Sequence, residues 1–404
     1  MEFVNGGICA AKGYKASGVY CGLRKNKTKK DLALIVSEKR AAAAAVYTQN
    51  LVKGAPIAVT KKNISDGYAS AVICNSGNAN TCNADGVEIA EKMCGFVEKY
   101  AGIPSGDVII ASTGVIGQPL NVHAIESGMP ELVKNLAQDG SEHAATAIMT
   151  TDTVLKEYAV KFSLSGKECF IGGIAKGSGM IHPNMATMLC FLTTDAAISP
   201  AMLSKALSDT VKDTFNMISI DGDTSTNDMV SILANGMAGN EEITCPDEGL
   251  CEFEKALNLL MVKLCRTIAK DGEGATKLLE CAVTGALDEK NAKLIAKSVI
   301  CSSLFKAAMF GADANWGRVL CAIGYSGAET DVTKISVSFV SRAGEITVCV
   351  NGSGIDFSEE DAKKILSEDE ITVKAMLGDG NASAVAWGCD LTYDYVKING
   401  DYRT

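Results

Sequence analysis

Short apolar runs alternate with longer amphipathic segments along most of this chain, and this alternation is the strongest constraint on its fold. Runs of strand type lie at 32–36, 56–60, 68–74, 107–112, 154–164, 185–194, 229–234, 279–284, 334–340 and 345–350. Helical patterns lie at 87–100, 124–136, 142–149, 201–215, 253–269, 291–305 and 358–367. The segment 154–164 is expected to be an exposed or edge strand, and 383–396 to mix turn and strand. The alternation predicts a mixed α/β (α+β) fold in which helices cover the sheets.

The length of 404 residues exceeds the usual size of one domain and predicts two or three. Hydrophobic residues make up 47% of the sequence and aromatic residues only 6%, so the core should be mainly aliphatic. The alternation of elements breaks at 285–290. We therefore predict a main domain over 1–286 and a smaller C-terminal α/β domain over 287–404.

Charge and hydropathy exclude several classes of protein. The 38 basic and 48 acidic residues give a net charge of −10, which argues against a surface for nucleic acids or anionic membranes. No apolar stretch approaches the roughly 18 residues of a membrane-spanning helix. The first residues also lack the basic start and apolar run of a signal peptide. We therefore expect a cytoplasmic protein.

The fifteen cysteines contain no Cys-x-x-Cys pair, so the sequence has no local signature of a zinc or iron–sulfur site. Many of them lie in apolar runs, as Cys74 and Cys349 do. We interpret them as reduced thiols that pack as small hydrophobic side chains.

A glycine-dense stretch, Gly172–Gly179, leads into an apolar run that contains Thr187. The threonine hydroxyl is a weak nucleophile without a base, and only three histidines are present to supply one. Cleavage of the bond between Ala186 and Thr187 would create an α-amine with a pKa of about 7.7–8.0, which suits a general base. On spacing alone, a glycine turn that feeds a core strand is the better interpretation.

The residues around this threonine carry a specific resemblance. The segment 175–189, AKGSGMIHPNMATML, resembles the self-cleavage motif of the ornithine acetyltransferase family, the bifunctional glutamate N-acetyltransferases of arginine biosynthesis. Further landmarks follow in the family's order at 74–80, 112–117, 149–153, 215–228, 271–277, 313–318 and 394–404. The resemblance therefore covers essentially the whole chain.

The resemblance implies roles for the reacting groups. Thr187 becomes the N-terminal nucleophile of a β chain (187–404) after cleavage from an α chain that ends at Ala186. Thr113 and Gly114 match the family's oxyanion-hole pair, where donors stabilise the charge that develops on a carbonyl oxygen. Without the resemblance, Thr113 and Gly114 would be interpreted as an ordinary strand end.

The resemblance also implies a set of substrate contacts. A cation suits a substrate carboxylate and a carboxylate suits an ammonium group, which fits Lys176 and Glu273. Either Thr150 or Thr151 matches a further contact. The matching positions at the C-terminus are Asn399 and Thr404, although terminal residues are usually poorly ordered. Lys176 by itself would be interpreted as a solvated loop charge.

Three acidic residues in the 215–228 landmark invite a test for a metal site. The segment 221–228, with Asp221, Asp223 and Asp228, superficially resembles a calcium loop. It lacks the glycine and the glutamate that an EF-hand needs at its sixth and twelfth positions. We expect a structural turn beside the active site, and no metal. Two departures from the family pattern, Gly400 and Ala314, lie outside the residues with implied roles.

The resemblance implies an acetyl transfer by double displacement. Thr187 takes the acetyl group from N2-acetylornithine and passes it to glutamate, with no cofactor; some members also use acetyl-CoA as donor. The implied fold is a helix–sheet–sheet–helix sandwich like that of N-terminal-nucleophile enzymes, and the implied assembly is an α2β2 heterotetramer. Two alternatives are a related self-processing aminopeptidase or amidohydrolase, and a non-catalytic binding protein that stays uncleaved.

Overall fold

The computed structural model describes residues 1–182 and 188–400. Within these ranges the chain forms two β-sheets and eleven α-helices. The first sheet contains β1 (Glu2–Val4), β2 (Tyr14–Val19), β3 (Leu32–Tyr47), β4 (Tyr68–Asn78), β5 (Val108–Val115), β6 (Lys156–Leu164), β7 (Lys167–Lys176), β8 (Leu189–Thr194) and β10 (Met229–Ala234). The second sheet contains β9 (Ile218–Ser219), β11 (Leu278–Ala286), β12 (Ser336–Ser341), β13 (Gly344–Val350), β14 (Ser353–Gly354), β15 (Glu370–Met376) and β16 (Ala382–Cys389).

The helices cover and connect these sheets. They are α1 (Ala55–Asn63), α2 (Gly86–Ala101), α3 (Val122–Lys134), α4 (Ser141–Ile148), α5 (Pro200–Asp213), α6 (Glu248–Lys270), α7 (Glu289–Cys301), α8 (Ser303–Phe310), α9 (Trp316–Gly324), α10 (Glu359–Leu366) and α11 (Tyr393–Gly400).

The long strand β3 joins two halves of the first sheet. Its first half pairs with β2 and β4, its second half pairs with β10, and the register shifts between Val36 and Ala41. The halves are β2-β3-β4-β5 and β1-β6-β7-β8-β10-β3. One core cluster contains buried side chains from both halves, such as Cys74 and Phe191, together with residues of α4. The two halves therefore face each other across a shared core.

Helices cover the outer face of each half. Helices α1, α2 and α3 bury aliphatic side chains against β3, β4 and β5. Helix α6 packs on β6 and β7, and it also contacts β11 and β16 of the second sheet. The helix–sheet–sheet–helix order and the mixed α/β class predicted from the sequence are thereby confirmed.

The second sheet draws most of its strands from the C-terminal part of the chain. It also includes β9 and β11, which precede residue 287. In β11 the chain pairs in parallel with β15 and antiparallel with β16, so 278–286 contributes a central strand to this sheet. The boundary at 286/287 stays a prediction.

Four local predictions need correction. The apolar run 56–60, predicted as a strand, belongs to α1, because a short buried run does not distinguish the two structures by periodicity. The predicted helix 291–305 is divided at Ser302, whose side chain caps α8. The strand β6 is not at the edge, since β1 pairs with it. The closing segment, predicted as turn and strand, ends in the helix α11.

The cysteines follow the prediction only in part. Eight are buried and three are partly buried, but Cys82, Cys245, Cys251 and Cys321 are exposed. All fifteen are free thiols. No helix in the described ranges is long and apolar enough to cross a membrane.

Candidate active site

One cavity of about 120 Å³ lies at the ends of β5 and β7 and at the beginnings of β8 and β10. It brings together residues that are more than 280 positions apart in the sequence. The predicted site residues that line it are Thr113, Gly114, Thr150, Thr151, Lys176, Glu273 and Asn399. These are all of the predicted site residues that lie in the described ranges.

Three other predicted residues, Ala186, Thr187 and Thr404, lie outside the residues that the structure describes. The two described residues that follow this gap, Met188 and Leu189, both line the cavity. Leu189 begins β8, and the backbone amide of Met229 donates to the carbonyl oxygen of Met188 at 2.9 Å.

The backbone around Gly114 admits only glycine. Its φ of 130° is a conformation that L side chains rarely adopt. A Cβ atom at this position would lie 2.3 Å from the carbonyl carbon of Gly77 on the parallel strand β4. The preceding residue, Thr113, is partly buried, and its hydroxyl accepts from the Lys176 ammonium at 3.5 Å. The close approach of the two strand ends therefore fixes the segment that the resemblance assigns to the oxyanion hole.

A buried ion triad lies behind the cavity. The Lys156 ammonium donates to Asp152 at 2.7 Å and to Asp271 at 2.5 Å, and the Lys156 side chain is fully buried. Asp152 also accepts from the backbone amides of Thr150 at 2.9 Å and Gly177 at 2.7 Å. The triad therefore holds the segment that carries Thr150 and the glycine loop that follows Lys176.

Two opposing effects set the charge of Asp152. Burial acts to raise the pKa of its carboxyl group, but the cations of Lys176 and Lys156 and the amide of Gly177 outweigh it. The net result is a pKa well below the ordinary value for aspartate, so this carboxylate is ionised at neutral pH.

Asp271 connects the same triad to Glu273. Its carboxylate accepts from the backbone amide of Thr153 at 3.0 Å, and its carbonyl accepts from the Ser178 hydroxyl at 2.7 Å. The backbone amide of Glu273 in turn donates to the carbonyl of Ser178 at 2.9 Å. A Cβ atom on Gly179 would lie 2.3 Å from a Glu273 carboxylate oxygen, so the glycine loop passes directly over this side chain.

The described end of the chain lies at the site. The Asn399 side-chain amide donates to the Glu273 carboxylate at 2.7 Å. The Thr392 hydroxyl donates to the carbonyl of Gly274 at 2.7 Å, just before α11 begins. Gly274 has a φ of 70°, and a Cβ atom there would lie 2.6 Å from the backbone nitrogen of Tyr395. Helix α11 thus packs closely against the segment that carries Glu273.

Asp221 occupies a structural position beside the cavity. Its carboxylate accepts from the backbone amides of Met180 at 2.6 Å and Ile181 at 2.9 Å, and from the Tyr395 hydroxyl at 3.3 Å. It therefore joins the glycine loop to α11. Within the described ranges, no group of three or more His, Cys, Asp or Glu side chains is arranged to hold a metal ion.

For two further residues of the site, Asn227 and Asp228, the sequence predicts no more than a structural turn beside it. The Asn227 side-chain amide donates to the carbonyls of Ala79 at 2.5 Å and Ser112 at 3.0 Å, so it joins the strand ends on which Thr113 and Gly114 lie. Asp228 is buried, lines the cavity, and has one carboxyl oxygen without a hydrogen-bond partner in the described part of the chain.

Burial dominates the electrostatics of Asp228. It raises the pKa of this carboxyl group well above the ordinary value, although the Ser225 hydroxyl and the Lys176 cation act in the opposite direction. Asp228, Asp152 and Asp271 all lie within landmarks of the family resemblance. That membership is the signal that could have identified them, but their burial and partners come only from the tertiary structure.

His182 lines a different cavity, together with Lys297. Burial and the nearby Lys297 cation lower its pKa to about 4. Its Nδ1 atom lies 3.1 Å from the Ser219 hydroxyl. From the sequence, His182 is interpreted as a loop residue and not as the catalytic base. In the structure it is not among the residues that line the candidate active-site cavity.

Comparison with known proteins identifies the chain's relatives. A profile of the ArgJ family matches residues 15–404. This chain belongs to the ArgJ family. The arginine biosynthesis bifunctional protein ArgJ of Caldanaerobacter subterraneus subsp. tengcongensis is 50% identical over 408 residues, which cover 100% of both chains.

Two solved structures of ArgJ relatives match parts of the chain. The ArgJ structure from Bacillus halodurans is 47% identical with a TM-score of 0.49, and covers 52% of this chain and 97% of that one. The ornithine acetyltransferase from Mycobacterium tuberculosis, solved with ornithine, is 32% identical with a TM-score of 0.43, and covers 46% of this chain and 99% of that one.

ArgJ membership confirms the family that the sequence motifs indicated. The chain is an enzyme of arginine biosynthesis and an acyltransferase, which favours the acetyltransferase prediction over an aminopeptidase and excludes a purely binding role. It acts on small molecules.

Proposed function

We propose that this enzyme moves the acetyl group of N2-acetylornithine to glutamate through an acetyl ester on Thr187. The Thr187 hydroxyl attacks the acetyl carbonyl, and its own α-amine accepts the hydroxyl proton and delivers it to the departing amine of ornithine. Glutamate then attacks the ester, and its amine becomes acetylated. The amine of the terminal threonine replaces the histidine base of many acyl transferases.

One observation carries this proposal. Every described residue to which the resemblance gives a role lines the same cavity, and so do the first two described residues after the proposed cleavage bond. A cavity of about 120 Å³ suits the reacting end of a small amino-acid derivative. The backbone at Gly114 is fixed by its contact with Gly77, as a preorganised oxyanion site requires.

The charges of the cavity match an amino-acid substrate. Lys176 supplies a buried cation and Glu273 a buried carboxylate, and both side chains line the cavity. A substrate carboxylate would bind the Lys176 ammonium, and an ammonium group of ornithine would bind Glu273. Asn399 would orient the Glu273 carboxylate through their hydrogen bond. Thr150 and Thr151 both line the cavity, so both are assigned as substrate contacts.

The proposal includes self-cleavage and assembly. The α chain 1–186 and the β chain 187–404 remain associated, because the first sheet takes strands from both of them. We further propose an α2β2 heterotetramer in the cytoplasm, with Thr404 as a further substrate contact. The acetyl group stays on the enzyme between the two substrates, so the exchange needs no cofactor.

A second acetyl donor, acetyl-CoA, is proposed because the ArgJ relatives are named bifunctional. The same acetyl ester would form from this donor, and glutamate would again accept the acetyl group.

Denaturing gel electrophoresis with N-terminal sequencing tests the proposal directly. Dividing 42.2 kDa in the ratio 186:218 predicts two bands of roughly 19 and 23 kDa. The larger one should begin with Thr-Met-Leu-Cys. A single uncut band from purified, active enzyme would contradict the mechanism. Conversion of N2-acetylornithine and glutamate to ornithine and N-acetylglutamate by the same preparation completes the test.

A further inference from the structure

A second cavity, the outer cavity, adjoins the cavity of the candidate active site, which is the inner cavity. It has a volume of about 330 Å³ and shares Gly114, Thr150 and Thr151 with the smaller cavity. A ligand whose reacting end lies at these shared residues could therefore extend into the larger cavity.

The outer cavity is basic in an otherwise acidic protein. Arg24, Lys25 and Lys29 line it, and the part of the chain that the structure describes contributes no carboxylate to its lining. The three cations come from the run Arg24-Lys-Asn-Lys-Thr-Lys-Lys30, a local basic segment that the net charge of −10 conceals. The cavity thus concentrates positive charge beside the acyl-transfer site.

Two lysines of this loop, Lys25 and Lys29, form no ion pair with the part of the chain that the structure describes. Lys25 and Lys29 are exposed, and no carboxylate of the described residues lies within ion-pair distance of either. In another large cavity, by contrast, Arg266 and Lys270 contact Glu370. Clustered lysines without acidic partners are costly for folding and favourable for binding an anion.

The base of the loop is held in place. Buried Asp31 accepts from the backbone amides of Cys21 at 2.6 Å, Leu23 at 2.8 Å and Arg24 at 3.0 Å. The Arg24 guanidinium donates to the carbonyl of Met149, which directly precedes Thr150. Arg24 therefore ties the basic loop to a segment shared by both cavities.

We infer that the outer cavity is the binding site for the phosphate-bearing part of an acyl thioester donor, with Lys25 and Lys29 as phosphate ligands. The inference rests on the proposed function and adds the location and chemistry of the second donor's site. The partly buried side chains of Leu23 and Val115 also line the cavity, and they suit an uncharged linker. In the transfer, the acetyl carbon exchanges its bond to sulfur for a bond to the Thr187 oxygen, and the hydroxyl proton leaves on the thiol.

Lysine-to-glutamine variants, assayed separately with each acetyl donor, test the inference. The full-length, self-processed enzyme acetylates glutamate in parallel assays with acetyl-CoA and with N2-acetylornithine. The double variant Lys25→Gln/Lys29→Gln should lower kcat/KM for acetyl-CoA, relative to kcat/KM for N2-acetylornithine, by about three- to thirtyfold. The matched control is Lys27→Gln, an exposed lysine of the same loop that does not line the cavity, and it should keep the wild-type ratio.

Two further measurements test whether the effect of the double variant comes from charge and from contact with a phosphate group. Removal of the 3′-phosphate from acetyl-CoA should reduce kcat/KM with the wild-type enzyme and much less with the double variant. Raised salt should weaken the use of acetyl-CoA more than the use of N2-acetylornithine. An unchanged donor ratio in the double variant, an equal loss in Lys27→Gln, or no turnover of acetyl-CoA would overturn the inference. Failure of the reaction with N2-acetylornithine would instead contradict the proposed function.

Discussion

The two adjoining cavities share three lining residues but differ in how far their charged side chains are buried. In the inner cavity and directly behind it, Lys176, Glu273 and the Lys156 triad are buried, and most of these groups contact one another. In the outer cavity, Lys25 and Lys29 are exposed, and no carboxylate of the described residues forms an ion pair with either. A buried charge destabilises the fold unless it is paired. An exposed charge is solvated by water and can remain unpaired until a ligand binds.

The comparison predicts different consequences of mutation. A change in or behind the inner cavity should affect both donors, or the stability of the fold itself. A change in the outer cavity should affect one donor and leave the stability almost unaltered.

The largest effect is expected from Thr187→Ala. Without the hydroxyl group the chain should remain a single band and transfer from both donors should fall below detection. Thr187→Ser keeps a hydroxyl and should retain some cleavage, measured as the fraction of cut chain over time. Acetyl transfer by uncut Thr187→Ala would show that the nucleophile lies elsewhere.

Gly114→Ala should reduce kcat for both donors by about 10²–10³-fold, because the added Cβ would displace the strand ends that form the proposed oxyanion hole. The matched control is Gly117→Ala. Gly117 also has a positive φ, of 76°, but a Cβ there would meet no atom within 4 Å. Steady-state kinetics should therefore separate the contact at Gly114 from the backbone conformation. Similar losses of kcat in both variants would show that the contact between Gly114 and Gly77 has no particular importance for catalysis.

Lys156→Met should lower the free energy of unfolding by about 3–5 kcal/mol, because Asp152 and Asp271 would lose their shared buried cation. Urea denaturation at pH 7 measures this loss. Lys205→Met serves as the control, since Lys205 pairs with Asp209 at the surface with both side chains more than 40% exposed. That exposed pair should contribute less than about 1 kcal/mol. Equal losses would mean that burial does not distinguish the two pairs.

The smallest effect in this series is expected from Asp228→Asn and depends on pH. Because the folded-state pKa of Asp228 is raised, the folded protein keeps a proton that the unfolded chain releases above the ordinary pKa of aspartate. The free energy of unfolding of the wild-type protein should therefore fall as pH rises above the ordinary pKa of aspartate. The asparagine variant lacks this dependence and should gain about 1–3 kcal/mol relative to wild type between pH 4 and pH 8.

Unfolding curves at several pH values measure this difference. A constant stability difference between Asp228→Asn and wild type across the range would mean that the Asp228 carboxyl group is not held neutral by burial.

The amino-acid pattern specifies the fold of this chain more directly than the arrangement of its charges. Periodicity located most helices and strands, but the run 56–60 became part of α1, because a short buried run fits either structure. The motifs located the inner cavity, since the residues they contain converge there. They did not locate the outer cavity, because composition averages the basic run 24–30 with acidic residues elsewhere.

The sequence by itself determined the family, the mixed α/β class and the residues proposed for the chemistry. Each of these depends on local order, which is written directly in the chain. Only the tertiary structure decided that Lys156 lies between two carboxylates, that one carboxyl oxygen of Asp228 has no hydrogen-bond partner among the described residues, and that the basic loop opens beside Gly114. Burial and charge pairing depend on residues that are distant in sequence, so they emerge only when the strands are packed.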